Sequence, residues 1–426
     1  MLVQPLPPVR KPISLKTAVK AISLLCTFTG SGLLGYKLFV SLPSYNGPIR
    51  DLQSKPIIIT EPCAKTSREL VYNLAKQGAH LILANNDWDK CDELRERLIR
   101  KYGVKSDMLE CRRLEMNSLT SIRRFVAGVL VDFPLLNSAI IQSPSCVTSI
   151  ISGKQRFTPD GFEQELGVNY FSAYLLSRLL IGRLNENQGR LILVIDTKNA
   201  NLYQTSQITN NNDDEQLKST KITIPLNNIN WENKNEYTPE KAYQRAQWFL
   251  LMFADELARR NSSIQGKKAS ILVVDPHITR GLSPEKDEQY SNANGLWKLM
   301  YMLIDICPRL ISRKASTTSL FCTTADSSSM NNSTVVDDNS NNHHQPNSIV
   351  NNAPIYQDLR LFVPSKPVNE MTDDRREALE LLWRLSEKWT RLDTHPYALP
   401  LPSRHLIKKD KKVTSDKVET VPLTQT

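Results

Sequence analysis

"PIIITEPCAKTSRELVYNLAKQGAHLILAN", Pro56–Asn85, is the stretch on which the fold turns. "PIIIT" is a short apolar run, "SRELVYNLAKQGA" carries its apolar residues at helical spacing, and "HLILAN" is a second apolar run. Strand, turn, helix and strand in that order open a βαβ unit. Such a unit offers an anion site where the turn meets the helix N-terminus, because unpaired N–H groups point outward there. The turn, "TEPCAKTS" from Thr60 to Ser67, contains no glycine. That is unexpected where backbone must approach a ligand closely.

Outward from this stretch the alternation continues. The apolar runs "MLECRRLEM", "SAIIQS", "RLILVID" and "ASILVVDP" are separated by amphipathic stretches such as "DKCDELRERLIRKYG", "SLTSIRRFVAGVLVDFP" and "FSAYLLSRLLIGRL". Repeated strands with helical segments of about 10–15 residues between them predict a doubly wound parallel sheet, an α/β fold of Rossmann type. The expected domain covers residues 54–312 and resumes over 351–395 with a closing helix in "DDRREALELLWRLSEKWTRL". Two Asn/Ser-rich stretches, about 200–220 and 313–350, are expected as disordered insertions, since they bury too little apolar surface to offset their ordering entropy. A basic polar tail occupies 396–426.

Before Asp51 the chain has no carboxylate side chain. Arg10, Lys11, Lys16 and Lys20 form a basic leader, residues 1–20, and "AISLLCTFTGSGLLGYKLFVSL", residues 21–42, matches the roughly 20 residues a bilayer requires. The expectation is an N-terminal transmembrane helix, with membrane lipid as its partner. The excess of basic residues before the span keeps the N-terminus cytosolic and the main domain across the membrane. Within the span Ser23, Thr27, Ser31 and Gly35 recur every fourth residue, which leaves homo- or hetero-oligomer formation open. The acid-free leader is compatible with the endoplasmic reticulum, the first choice, and with a mitochondrial membrane. Sequons stand at Asn261, Asn331 and Asn332.

The net charge of +10 is spread over separate segments with no aromatic-interleaved basic stripe, so nucleic-acid binding is not expected. The seven cysteines show neither CxxC nor Cys/His spacing, and the expectation is reduced packing thiols without a metal site. His343 and His344 adjoin in a polar tract and form at most a weak metal site.

"FTPDGFEQELGVNYFSAYLLSRLL", "FADELARR" and "DDRREALELLWRLSEKW", in this order, resemble the short-chain dehydrogenase/reductase family and within it the membrane-anchored retinol dehydrogenase group. The resemblance runs from about Ser54 to Leu392 outside the insertions. It implies NAD or NADP as cofactor, held at a TGxxxGxG turn, and an alcohol/carbonyl reaction run by an Asn, Ser, Tyr and Lys tetrad.

Carried over residue by residue, the cofactor turn falls on Thr60, which is kept, and on Glu61, Lys65 and Ser67, which replace the three glycines. Lys65 and Ser67 remain as candidate cofactor contacts. Glu115 stands where the family places an acidic residue facing adenine, and Asn85 where an arginine commonly reads a 2′-phosphate. The family's NNAG becomes "IQSP", Ile141–Pro144, and the glycine of its HPG turn becomes His277. The resemblance puts the catalytic tyrosine at Tyr243, the lysine at Gln247, the serine at Asp196 and the asparagine at Asn169. A neutral amide at 247 lends the phenol no cationic support, and a carboxylate at 196 opposes a developing alkoxide. A literal YxxxK, Tyr237–Lys241, competes, but Thr238 and Pro239 read as the cap and first residue of a helix.

The expectation is therefore a membrane-anchored pseudoenzyme with a binding or scaffold role, including a site for an apolar small-molecule ligand. The alternative is an active NAD(P)H-dependent, retinol dehydrogenase-like oxidoreductase on an apolar alcohol or carbonyl.

Overall fold

The protein is described as a computed structural model. It describes residues 49–64, 66–144, 154–210, 224–225, 228–276, 316–326, 330, 335–337, 353–357, 359–363 and 373–394. The expected anchor at 21–42, the tail, Lys65, His277, Asn331, Asn332, His343 and His344 lie outside the described residues. Among the described residues no helix is long and apolar enough to cross a membrane.

The strands are β1 (Pro56–Thr60), β2 (His80–Asn85), β3 (Leu109–Arg113), β4 (Ser138–Ile141), β5 (Arg190–Val194), β6 (Ser270–Val274), β7 (Val335–Asp337), β8 (Ile355–Gln357) and β9 (Arg360–Val363). They form one sheet in the order β3-β2-β1-β4-β5-β6-β8-β9-β7. From β3 across to β8 the pairing is parallel, and β1 lies between β2 and β4, with Ile57 opposite both Leu81 and Ser138. Among the described strands only β8 and β9 pair antiparallel. The reversal of strand order at β1/β4 makes this a doubly wound sheet of Rossmann type, as the alternation of apolar runs requires.

Successive strand residues face opposite layers. Ile58, Ile82, Ala139, Leu191 and Val273 pack under α3 (Leu119–Asp132), α4 (Ser172–Glu186), α6 (Pro239–Ser262) and α8 (Asp373–Trp389). Ile57, Ile59, Leu81, Ile140 and Ile192 pack under α1 (Arg68–Lys76), α2 (Trp88–Tyr102) and α7 (residues 316–324). Helix boundaries follow local chemistry. Asp87 caps α2 by accepting from Lys90 N–H at 3.1 Å, and Gly103 ends it at φ 65°, a conformation glycine adopts without steric penalty. Ser118 caps α3.

Three findings depart from the sequence reading. The stretch expected as an insertion from about 200 begins inside a helix, α5 (Thr197–Asn210), because Ala200 and Tyr203 are buried and Tyr203 stacks on Trp248 of α6 at 5.3 Å. Within 313–350, α7 is ordered, and its Phe321 and Cys322, with Ala325 just after it, are buried against the second layer. Cys91 of α2 and Cys111 of β3 form a disulfide, against the expectation of reduced thiols. Residues 20 apart in sequence meet because α2 folds back along the strand that comes after it, a proximity that spacing alone does not reveal.

Candidate functional site

The C-terminal ends of β1, β4, β5 and β6 form the edge at which doubly wound sheets bind ligands, in the crevice between β1 and β4. Here the crevice is bridged. Thr60 at the end of β1 donates its hydroxyl to the Gln142 carbonyl at 2.6 Å and accepts from the Gln142 N–H at 2.7 Å. The Gln142 side chain then crosses to the turn, where its Nε2 donates to Thr66 Oγ1 and to Ser67 Oγ, each at 3.0 Å. Thr60, Ser67 and Gln142 are all buried. From α7, the Ser316 hydroxyl donates to the Thr66 carbonyl and lays a second element against the turn.

The turn folds on itself. Ala64 N–H donates to the Glu61 carbonyl at 3.1 Å and Ser67 N–H to the Ala64 carbonyl at 2.9 Å, while Pro62 has no N–H to give. Glu61 has φ 49°, the left-handed region that favours glycine. The backbone thus keeps the conformation a glycine would take at that position, with a carboxylate-bearing side chain on it. Burial, and next the Glu61 carboxylate, push the Cys63 thiol up to about 11.

The second group of residues lies one layer over. The segment Leu166–Phe171 leading into α4 is a π-helical turn, a form frequent at functional sites, and it carries Asn169 inward. Asn169 donates from Nδ2 to Glu165 Oε2 at 2.7 Å and receives Gln247 Nε2 on its Oδ1 at 3.5 Å. Gln247 Oε1 in turn accepts the Asp196 N–H at 2.9 Å. Asn169, Asp196 and Gln247 are therefore brought together, and Tyr243 sits buried one turn before Gln247 on the same face of α6. The Asp196 carboxylate is engaged elsewhere. Its two oxygens accept from the N–H and Nδ2 of Asn199, at 3.1 and 2.8 Å, which caps α5. An aspartate directly before a helix is a cap signal, masked in the sequence because the polar residues beyond 200 pass for an insertion.

Tyr237 lies outside α6. Thr238 caps that helix by accepting from Lys241 N–H at 3.2 Å, Pro239 opens it, and the Tyr237 hydroxyl donates to Glu163 Oε1 at 3.2 Å. Burial raises Glu163 above the ordinary carboxylate range, while the N–H of Leu166 and the Tyr237 hydroxyl favour its charged form. Tyr237 is raised by burial and then by Glu163. Arg245 of α6 pins the preceding loop, donating to the Asn228 and Ile229 carbonyls at 2.8 and 2.5 Å and stacking over Trp231 at 3.9 Å. Glu115 stands apart from both groups, at the end of β3, in an ion pair with Arg113 at 2.6 Å. Asn85 turns its Nδ2 to the Asp87 carbonyl at 3.1 Å.

No family model matches the chain. Among curated proteins it is similar to retinol dehydrogenase 13 of Homo sapiens, 24% identical over 234 residues, covering 54% of this chain and 60% of that protein. It is similar also to retinol dehydrogenase 14 of Mus musculus, 26% identical over 268 residues with 58% and 71% covered. Polyprenol dehydrogenase of Homo sapiens is 27% identical over 208 residues, with 48% and 55% covered. The chain thus spans 60% of the length of the retinol dehydrogenase 13 proteins it matches. A crystal structure of an uncharacterised protein from Mycobacterium paratuberculosis superposes with a TM-score of 0.50 at 19% identity, covering 80% of this chain and 96% of that one, which is a likeness of fold. By sequence the chain is a relative of the short-chain dehydrogenases/reductases and resembles their retinol dehydrogenase-like group.

Proposed function

We propose that this chain is a membrane-anchored relative of the retinol dehydrogenases that has lost nicotinamide-dependent turnover and serves as a binding or scaffold module. The observation that carries the reading is the bridge from Gln142 to Thr66 and Ser67 across the β1/β4 crevice. A diphosphate drawn against this turn in the family's manner does not fit the side chains present. It would meet the Gln142 amide, the Ser67 hydroxyl where glycine is needed, and the Glu61 carboxylate, and it would find Ala64 and Ser67 N–H already engaged. Gln247 supplies no positive charge to favour the phenolate of Tyr243. Proton transfer and cofactor seating are lost alike.

Binding of an apolar small molecule, with the N-terminal helix held in membrane lipid, is the role left to the domain. The Cys91–Cys111 disulfide supports placing that domain in an oxidising compartment, across the membrane from a cytosolic basic leader, at the endoplasmic reticulum or in mitochondria. A glycan at Asn261 is incompatible with its burial and its bond from Nδ2 to the Ala269 carbonyl at 3.0 Å, so a glycosidase-sensitive shift in gel mobility would report Asn331 or Asn332.

The test is a titration of the full chain in nanodiscs with NADPH and NADH, read by nucleotide fluorescence and melting temperature. A ligand at one hundred times its Kd stabilises by about 2.7 kcal/mol, so the reading expects no shift at millimolar nucleotide. Saturable binding, together with turnover of an apolar carbonyl that disappears in Tyr243→Phe, overturns it. The assembly of Asn169, Gln247 and Asp196 within hydrogen-bond distance favours that second reading, in which Tyr243 is the proton donor and Asn169 supports the relay.

A further inference from the structure

The N-terminal ends of the strands form an edge remote from the ligand crevice, and the chain leading from the expected anchor is tied to it. Ile49 bridges to Ala325, Arg50 N–H donates to the Thr324 carbonyl at 2.7 Å, Leu52 is buried, and Ser54 N–H donates to the Gly78 carbonyl at 2.8 Å. Beneath, the buried Arg190 guanidinium donates to the Cys322 carbonyl at 2.7 Å and holds the end of α7 in place. The position of Ile49 on the domain is thereby fixed.

Exposed apolar side chains gather at the same edge. Leu135, in the α3–β4 loop, is 69% exposed, and Ile264, in the α6–β6 loop, 45%. Ile49 is 57% exposed. Their shared position follows from the hydrogen bonds that run along the strand starts: Asn137 N–H to the Pro56 carbonyl, Arg190 N–H to the Asn137 carbonyl, and Ser270 N–H to the Gly189 carbonyl. Lys55, Lys267 and Lys268 stand exposed beside them. The carboxylates of Asp132 and Glu186 at this edge are paired with Arg112 and Arg183, and Asp51 and Asp107 are exposed there as well.

We propose that this edge is a lipid-docking face, with Leu135 and Ile264 set among the headgroups and Lys55, Lys267 and Lys268 toward phosphate. The inference rests on the membrane-anchor reading. An anchor ending at residue 42 leaves only residues 43–48 before the fixed Ile49, a reach of at most about 25 Å. A tether that short holds the edge near the bilayer that the anchor enters. Exposed aliphatic side chains flanked by lysines are the chemistry a headgroup layer accepts. The ligand crevice, at the opposite ends of the strands, then opens away from the membrane.

The test uses the full chain in vesicles of phosphatidylcholine with a fifth of phosphatidylserine, carrying the photo-crosslinker p-benzoylphenylalanine at Leu135, at Ile264 or, as control, at Trp88 on the opposite edge. Phospholipid adducts at Leu135 and Ile264 and their loss at Trp88 are expected. Val131, also exposed at the end of α3, repeats the readout should either substitution disturb folding. Equal labelling at all positions, or adducts joining two copies of the chain, overturns the lipid assignment. Alkaline carbonate extraction separates the two readings: a chain that is extracted fails as an anchored protein, and this inference with it. A chain that is retained yet forms no lipid adduct at these positions fails the docking face alone.

Discussion

Replacing Glu61 isolates the conflict between backbone and side chain at the turn. Glu61 has φ 49°, and its N–H and carbonyl are both bonded, to the Ala84 carbonyl and the Ala64 N–H, each at 3.1 Å. Those bonds are made by backbone and survive any side-chain change, so the turn keeps its shape. A residue with a Cβ loses about 1–2 kcal/mol in this conformation. Glycine avoids that loss but frees the unfolded chain, which takes back about 0.4–1 kcal/mol. Glu61→Gly should therefore stabilise by roughly 0.5–1 kcal/mol, raising the melting temperature by about 1–3 °C. Asparagine, which tolerates the left-handed region, should behave like glycine, and it also removes the carboxylate. Valine, β-branched, should destabilise by about 1 kcal/mol or more. The order Gly and Asn above Glu above Val, in urea melts of the full chain in detergent, is the assay. If Glu61→Gly destabilises by about 1 kcal/mol while Glu61→Val is neutral, the side chain is being held by contacts that outweigh the backbone penalty, and the reasoning is wrong.

Three further outcomes are expected. Peptide mapping without reductant should recover Cys91 joined to Cys111, and the Cys91→Ser, Cys111→Ser pair should cost about 3 kcal/mol, the entropy of closing a loop across a separation of 20 residues; two free thiols in the unreduced chain would refute the pairing. Glu163 has a folded pKa raised above the ordinary value by burial, so its contribution to stability is full below the unfolded carboxylate pKa and is lost as pH rises through the raised value. Glu163→Gln should thus match the parent in acid and exceed it at neutral pH; parallel pH–stability curves would count against the buried carboxylate. Gln247→Lys with Asp196→Ser keeps an α5 cap in the serine but removes the acceptor of the residue-196 N–H, since an ammonium cannot accept. The double variant should melt lower and show no NADPH turnover while Gln142 bridges the crevice; recovery of turnover would locate the defect in chemistry alone.

The strands and most helices were legible because their signals are local. β1 to β6 coincide with the apolar runs, and alternation of Ile57, Ile58 and Ile59 between the two layers is a property of any buried strand. The cap at Thr238 and Pro239 could be read from residue type and spacing. α5 and α7 were hidden by polar composition, because their buried apolar residues, Ala200 and Tyr203 among the described side chains of one and Phe321 and Cys322 in the other, stand among polar neighbours.

At the candidate site the sequence supplied the residues, and the resemblance supplied the roles expected of them. By itself the sequence determined that the turn Thr60–Ser67 contains no glycine and that strands alternate with helices, since each follows from identity and order along the chain, while the places given to Gln247 and Asp196 came from the family resemblance. Tertiary structure decided that Gln142 reaches back to Thr66 and Ser67, that Asp196 caps α5, that Cys91 meets Cys111 and that Asn261 is buried. Each of these joins segments whose separation in sequence, or whose side-chain direction, no local pattern encodes. Only the packing of helices on both faces of the sheet sets them within bonding distance.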